Sequence, residues 1–149
     1  MIGMSIAIGS DHAGFDLKEA VRNYLEELGM TVKDFGTFST DSVDYPDYAF
    51  AVAQAVSKGQ VPRGILICAT GLGMTIVANR ISGIRAANCL TPYLAKMSRR
   101  DNDANILTMG GRILSPDQAK EIVKIWLETP FEGGRHLRRI NKIRELTGG

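Results

Sequence analysis

Cysteine is scarce in this chain: Cys68 and Cys89 are the only two among 149 residues. Two thiols in separate apolar runs make no disulfide framework, and the pattern suits a reducing cytoplasm better than secretion. Histidine is equally sparse, with His12 and His136 alone. No His-rich metal spacing and no Cys-x-x-Cys pair is present, so no metal is expected. No apolar run approaches 18 residues, so no membrane span is expected. The opening Met1-Ile2-Gly3-Met4-Ser5 has no positive stretch and is too short for a signal peptide, which again points to the cytoplasm. An excess of one charge is also missing. Eighteen Lys+Arg against sixteen Asp+Glu leave +2, too even to argue for nucleic acid or an anionic membrane. A basic function must therefore come from a local cluster.

What remains is ordinary globular composition, 44% hydrophobic and 23% charged. The length suits one domain over 1–149, with no repeat, low-complexity stretch or linker to divide it. The rhythm is strand, helix, strand, helix. Ser5–Gly9 reads as a strand, and Phe15–Leu28 as a helix spaced by Leu17, Val21, Tyr24, Leu25 and Leu28, with Gly29 as its stop. Met30–Phe35 is a second strand. After a polar loop through Pro46, Ala49, Val52, Ala53 and Val56 place a second helix. Gly64–Cys68 is continuously apolar, as a strand buried on both faces of a parallel sheet must be. Gly71–Arg80 turns helical, Ile84–Cys89 is a weaker strand, and Pro92–Arg100 is a helix. Asn105–Met109 is a fifth strand, Pro116–Leu127 a helix with Pro at its first position, and Arg135–Leu146 a last helix. This alternation predicts a doubly wound α/β sheet, whose ligands bind at the carboxyl ends of the strands.

Four segments carry the polar chemistry. In Cys68-Ala69-Thr70-Gly71-Leu72-Gly73-Met74 a thiol ends a buried strand just before a glycine turn that opens a helix. Such a turn offers backbone N–H groups to an anion, and the helix field favours a thiolate. A base and an oxyanion cradle on one turn suit proton abstraction beside a carbonyl. A buried structural cysteine before a tight turn fits the same spacing. Asp11-His12 follows the first strand and belongs to the same sheet edge. It suits sugar hydroxyls and an anion, or simply an N-cap with a solvated imidazole. In Gly133-Gly134-Arg135-His136-Leu137-Arg138-Arg139, Arg135 and Arg139 share a helix face and form a candidate phosphate clamp. A solvated basic helix fits equally, whereas nucleic acid fits poorly because no aromatics interleave. The stretch from Ser98 to Asn105, followed by Gly110-Gly111-Arg112, is either a polar site or a capping loop.

Sharper motifs fail. A Cys-x5-Arg phosphatase loop needs Arg where Met74 stands. The Gly-Lys-Ser/Thr of a phosphate-binding loop is absent, and Gly71-x-Gly73 lacks the third glycine of a dinucleotide fingerprint.

Six segments in order, SDHAGF (10–15), DYPDYA (44–49), GILICATGLGMTIVANR (64–80), GIRAA (83–87), NDANIL (102–107) and FEGGRHLRRI (131–140), resemble the type B ribose-5-phosphate isomerases. That sugar-phosphate isomerase family also includes galactose-6-phosphate isomerase. The resemblance implies a Rossmann-like α/β/α fold with a five-stranded parallel sheet and a C-terminal basic helix. It implies a homodimer, or a tetramer of paired dimers, with each active site built across the interface and no metal or cofactor. By resemblance, Cys68 is the base that moves a proton between C1 and C2 through an enediolate. Relatives without this Cys place Glu at the position of Met74. Thr70 and the amides of Gly71, Gly73 and Met74 would stabilise the enediolate. Asp11 and Tyr45 would border the sugar, and Asn102 would sit near the reacting carbons. His12, Arg112, Arg135 and Arg139 would bind the phosphate.

Asp101 departs from the pattern, which usually has His directly before the Asn, helping to open the furanose ring. An imidazole gives and takes a proton near neutral pH, whereas a carboxylate with a pKa of about 3.9 holds little acid in reserve. The expected activity is therefore aldose–ketose isomerisation of ribose 5-phosphate or of another pentose or hexose phosphate. From another class, a non-catalytic sugar-phosphate sensor or a phosphocarrier would share the early cysteine.

Overall fold

The computed structural model describes residues 3–149; Met1 and Ile2, the start of the run weighed as a leader, lie outside the described residues. In chain order the elements are β1 (Ser5–Ser10), α1 (Phe15–Glu27), β2 (Thr31–Asp34), α2 (Tyr45–Ser57), β3 (Arg63–Cys68) and α3 (Leu72–Ala78). They continue with β4 (Ala86–Asn88), α4 (Pro92–Arg100), β5 (Ile106–Gly110), α5 (Pro116–Glu128) and α6 (Arg135–Thr147). The strands form one parallel sheet in the order β2-β1-β3-β5-β4. The expected five-stranded α/β/α architecture is therefore present.

Strand periodicity sorts the core into two layers. Ile6 and Ile8 of β1, with Ile65 and Ile67 of β3, face α1 and α5, packing with Val21, Leu25, Ile122 and Trp126. The intervening Ala7, Leu66 and Cys68 face α2 and α3, packing with Val52, Ala53, Met74 and Ala78. This is the period-2 rule of a strand covered on both sides. α5 is started by a reciprocal cap, Ser115 Oγ accepting from Gln118 N while Gln118 Oε1 accepts from Ser115 N; such a cap contributes about 1 kcal/mol. α6 stands apart from both layers, with His136 its buried residue.

Several element boundaries shift by a few residues, and at two of them, α2 and β4, the cause is visible. α2 begins at Tyr45 rather than near Ala49, because Pro46 sits in its first turn, where a fixed φ and a missing N–H cost nothing. β4 is shorter than the apolar run suggests. Arg85 N donates to the Asn105 side chain at 2.8 Å instead of joining the ladder, so pairing starts at Ala86. Among the described residues no helix is long and apolar enough to cross a membrane.

Candidate active site

The carboxyl ends of β1, β3 and β5 meet in one backbone network. Asp11 N donates to Ile67 O at 3.2 Å, Gly111 N to Cys68 O at 2.7 Å, and Arg112 N to Ala69 O at 3.1 Å. Glycines make this closeness possible. A Cβ on Gly14 would strike the Ile67 carbonyl, and one on Gly73 would come within 2.5 Å of the Tyr45 ring. Gly71 has φ +86°, and a Cβ there would also strike Asn88 Oδ1, so no other residue closes this turn without strain.

Within that network Cys68 is largely buried. Its Sγ accepts a hydrogen bond from Gly71 N at 3.1 Å. A donated N–H bonds a thiolate more strongly than a neutral thiol. Leu72 N donates to Thr70 Oγ1 at 3.2 Å, so the Thr70 hydroxyl is held on the same turn. Asp11 is buried and spends Oδ1 on Gly14 N at 3.0 Å. His12 Nδ1 lies 3.1 Å from Val43 N and 3.2 Å from Val43 O. It accepts from the amide in one tautomer and donates to the carbonyl in the other, and either way Nε2 is left for a ligand. Tyr45 lies across Gly73 from the start of α2. The Met74 side chain is fully buried in the core, so only its backbone belongs to the turn. Arg112 follows β5 at the same edge and is exposed.

The remaining predicted residues lie elsewhere. Asp101 and Asn102 precede β5, whereas Cys68 ends the neighbouring β3, so they occupy opposite edges of the sheet. Five strand residues separate these edges by about 16 Å. Asp101 takes a 2.8 Å hydrogen bond from Arg100 Nε. That bond, with the Arg100, His136 and Arg135 charges, holds its carboxyl below the ordinary range. The backbone carbonyls of Asn102 and Asp103 accept from Arg85 Nε at 3.2 and 3.0 Å. Arg135, at the start of α6, approaches Glu132 at 4.0 Å; one turn on, Arg139 is exposed. Two hollows between α6 and residues 83–87 take Arg85, Ile84 and Ile143 into both linings and Asn102 into one, and Cys68 lines neither. One chain thus carries two groups of candidate residues, one per sheet edge.

Sequence spacing missed three features. His136 stands 3.4 Å from Asp101, a pairing between positions 35 apart. The Thr108 hydroxyl donates to Asn88 Oδ1 at 3.0 Å and meets Thr75 Oγ1 at 2.6 Å, and Thr75 Oγ1 in turn donates to Gly71 O at 2.8 Å. This chain underlies the Cys68 turn. Lys18 is fully buried and pairs with Asp34 at 2.6 Å. Asp34 Oδ1 accepts from Gly36 N at 2.9 Å, and Gly36 O accepts from Ser10 N at 2.7 Å, beside Asp11. A lysine on an otherwise apolar helix face is the one signal that was legible.

Residues 6–143 match the family described as Ribose/Galactose Isomerase. The ribose-5-phosphate isomerase B of Escherichia coli is 49% identical over 138 residues, covering 93% of each chain. The D-erythrulose-4-phosphate isomerase of Pectobacterium atrosepticum is 45% identical, over 94% of this chain and 93% of its own. The solved ribose-5-phosphate isomerase B of Clostridium thermocellum superposes with a TM-score of 0.96 at 51% identity, over 97% of this chain and 98% of that one. With the fold, the glycine turn and both groups of candidate residues in the matched span, this chain belongs to the ribose/galactose isomerase family.

Proposed function

We propose that this chain is an aldose–ketose isomerase of a phosphorylated sugar, of the ribose 5-phosphate/ribulose 5-phosphate type, acting in the cytoplasm as a homodimer. The observation that carries the reading is the Cys68 sulfur, seated on the Gly71 amide at 3.1 Å beside Asp11. The Cys68 thiolate takes the C2 proton of the open-chain aldose. The electron pair moves through C1–C2 onto the carbonyl oxygen, giving an enediolate. Thr70 and the amides of Gly71, Gly73 and Met74 hold the new negative charge. The thiol returns its proton to C1 while the O2 proton passes to O1, which leaves the ketose. A positioned base of this kind supplies about 10²–10⁴ of the rate. Asp11 and Tyr45 border the sugar, and His12 Nε2 and Arg112 receive the phosphate.

A second copy supplies Asn102, Asp101 and the Arg135/Arg139 clamp, because a sugar phosphate cannot bridge both edges of one sheet. The like half-sites complete each other under two-fold symmetry.

Solvent exchange tests the reading. In heavy water the wild type should place deuterium on C1 of ribulose 5-phosphate, and Cys68→Ser should abolish that exchange while still binding the phosphate ester. Wild-type turnover in Cys68→Ser would overturn it. So would covalent phosphorylation of Cys68, which marks a carrier, or binding without exchange, which marks a sensor.

Asp101 favours a second reading of the substrate. Pinned to Arg100 at 2.8 Å, it is a poor proton donor to a ring oxygen. A four-carbon sugar phosphate like that named for the Pectobacterium relative suits it, because with O4 esterified the sugar cannot close a furanose ring; another pentose or hexose phosphate is the alternative. Assaying aldose phosphates of four to six carbons with wild type and Asp101→His decides it. Strong wild-type turnover of ribose 5-phosphate, unchanged by the substitution, would remove any special role for position 101.

A further inference from the structure

α3 joins the two edges of the sheet. It starts at Leu72, just after the Cys68 turn at the carboxyl edge, and ends at the amino edge, where Asn79 caps it and the chain turns back towards β4. Its outer face is apolar and exposed. Leu72 and Ile76, one turn apart on that face, are 58% and 63% exposed. At the far end of α3 lies a hollow of about 430 Å³, lined in part by Asn79, Ala86, Ala87, Asn102 and Ile143. The ridge thus begins beside Cys68, and the hollow at its other end reaches Asn102. Strand addition is closed to a partner here. β4 is an edge strand, but the Asn79 side chain accepts from Ala86 N at 2.8 Å and donates to Ala86 O at 3.0 Å. An edge covered in this way offers little for a second strand to pair with, so docking on this face goes through side chains.

We propose that this α3 ridge is the two-fold contact between copies of the chain, with α3 of one copy antiparallel to α3 of the other. It rests on the isomerase reading above, in which a second copy supplies Asn102 and the arginines. A two-fold axis perpendicular to a helix reverses that helix in the partner, and the same patch serves on both sides. An axis through the middle of α3, beside Ile76, therefore lays the Cys68 turn of each copy over the Asn79 end of the other, next to that copy's Asn102. Leu72 of each copy then enters the other's hollow, against Ala86, Ala87 and Ile143. One contact thus covers both apolar features of this face and brings opposite sheet edges together. The exposed Phe38 does not meet that condition. It follows β2, at the end of the sheet remote from β4, and a two-fold there keeps each Cys68 far from the other copy's Asn102. Ridge and hollow come from α3, β4 and α6, which is why no single segment of the sequence announces the surface.

Sedimentation equilibrium of the full-length protein, with circular dichroism as the check on folding, tests the contact. The wild type should sediment as a dimer. Ile76 is well exposed and outside the proposed proton-transfer machinery, so Ile76→Asp should fold as wild type. It should weaken dimerisation at least about 30-fold, the least that marks a central interface residue. Turnover per chain should fall with it and return as protein concentration rises. Ile76→Lys should behave in the same way, since like charges then face each other across the axis. The two variants mixed should form dimers again, because opposite charges then meet at that point. An Ile76→Asp protein as tightly dimeric as the wild type, a mixture that stays monomeric, a monomeric wild type, or a folded monomer with full turnover would each overturn the proposal. Failure of the isomerase reading alone has a different signature: dimers form and part as described, yet the wild type places no solvent deuterium in any sugar phosphate.

Discussion

Thr108 shows how much of the Cys68 turn depends on a residue that touches no substrate. Its hydroxyl, fully buried on β5, joins Asn88 to Thr75, and Thr75 holds the Gly71 carbonyl. Thr108→Val should cost about 1–3 kcal/mol of stability by leaving a buried acceptor unpaired. It should also lower kcat with little change in KM, and Thr108→Ser should restore both; urea titration and steady-state kinetics check this. The two thiols differ at the same scale. Burial, partly offset by the Ser98 side chain, pushes the Cys89 thiol up to about 11, so at pH 8 about one Cys89 in a thousand is thiolate. Native-state alkylation followed by peptide mass analysis should leave Cys89 unmodified. The sequence placed both cysteines in apolar runs and distinguished them only by the glycine turn after Cys68. The Gly71 amide that meets one sulfur, and the packing that encloses the other, arise in three dimensions.

At the scale of elements, α1 is tied to the Asp11 loop by one buried ion pair. Lys18→Met leaves Asp34 without its 2.6 Å partner, which should cost about 3 kcal/mol, read as a lower urea midpoint at constant slope. Because Asp34 also holds Gly36, and Gly36 holds Ser10, the same variant should weaken sugar-phosphate binding. The stability that Asp101 contributes at the end of α4 should depend on pH. Asp101 has a folded pKa below its unfolded one, chiefly through the Arg100 hydrogen bond. Its contribution is therefore present above the ordinary carboxylate range and is lost as pH falls through the depressed folded value. The difference in melting temperature between wild type and Asp101→Asn should persist from neutral pH down to about pH 4 and fade below it. Element types were legible because β3 is apolar throughout and the helices repeat at 3.6 residues. The boundaries of α2 and β4 were not. Pro46 extends one into the presumed loop, and Asn105, far along the chain, takes the amide that would have lengthened the other.

For the whole molecule, the decisive fact is that Cys68 and the Asp101–Arg139 group lie at opposite ends of one sheet. Cys68→Ser and Arg139→Ala should each be nearly inactive alone. Mixed, unfolded and refolded together, they should regain about a quarter of wild-type activity, since half of randomly paired dimers hold one intact site of two. No recovery, with dimers present by sedimentation, would place both half-sites of each pocket in one chain. The order of apolar runs dictated five parallel strands, their covering helices and the glycine turn beneath Cys68, because hydrophobic period and turn chemistry act over a few residues. It also carried every residue type the proposed chemistry needs. The linear order could not say which polar segments share a sheet edge, or that His136 would be buried against Asp101. Those outcomes depend on where a parallel crossover returns the chain and on how α6 docks, and both are settled by packing between segments tens of residues apart.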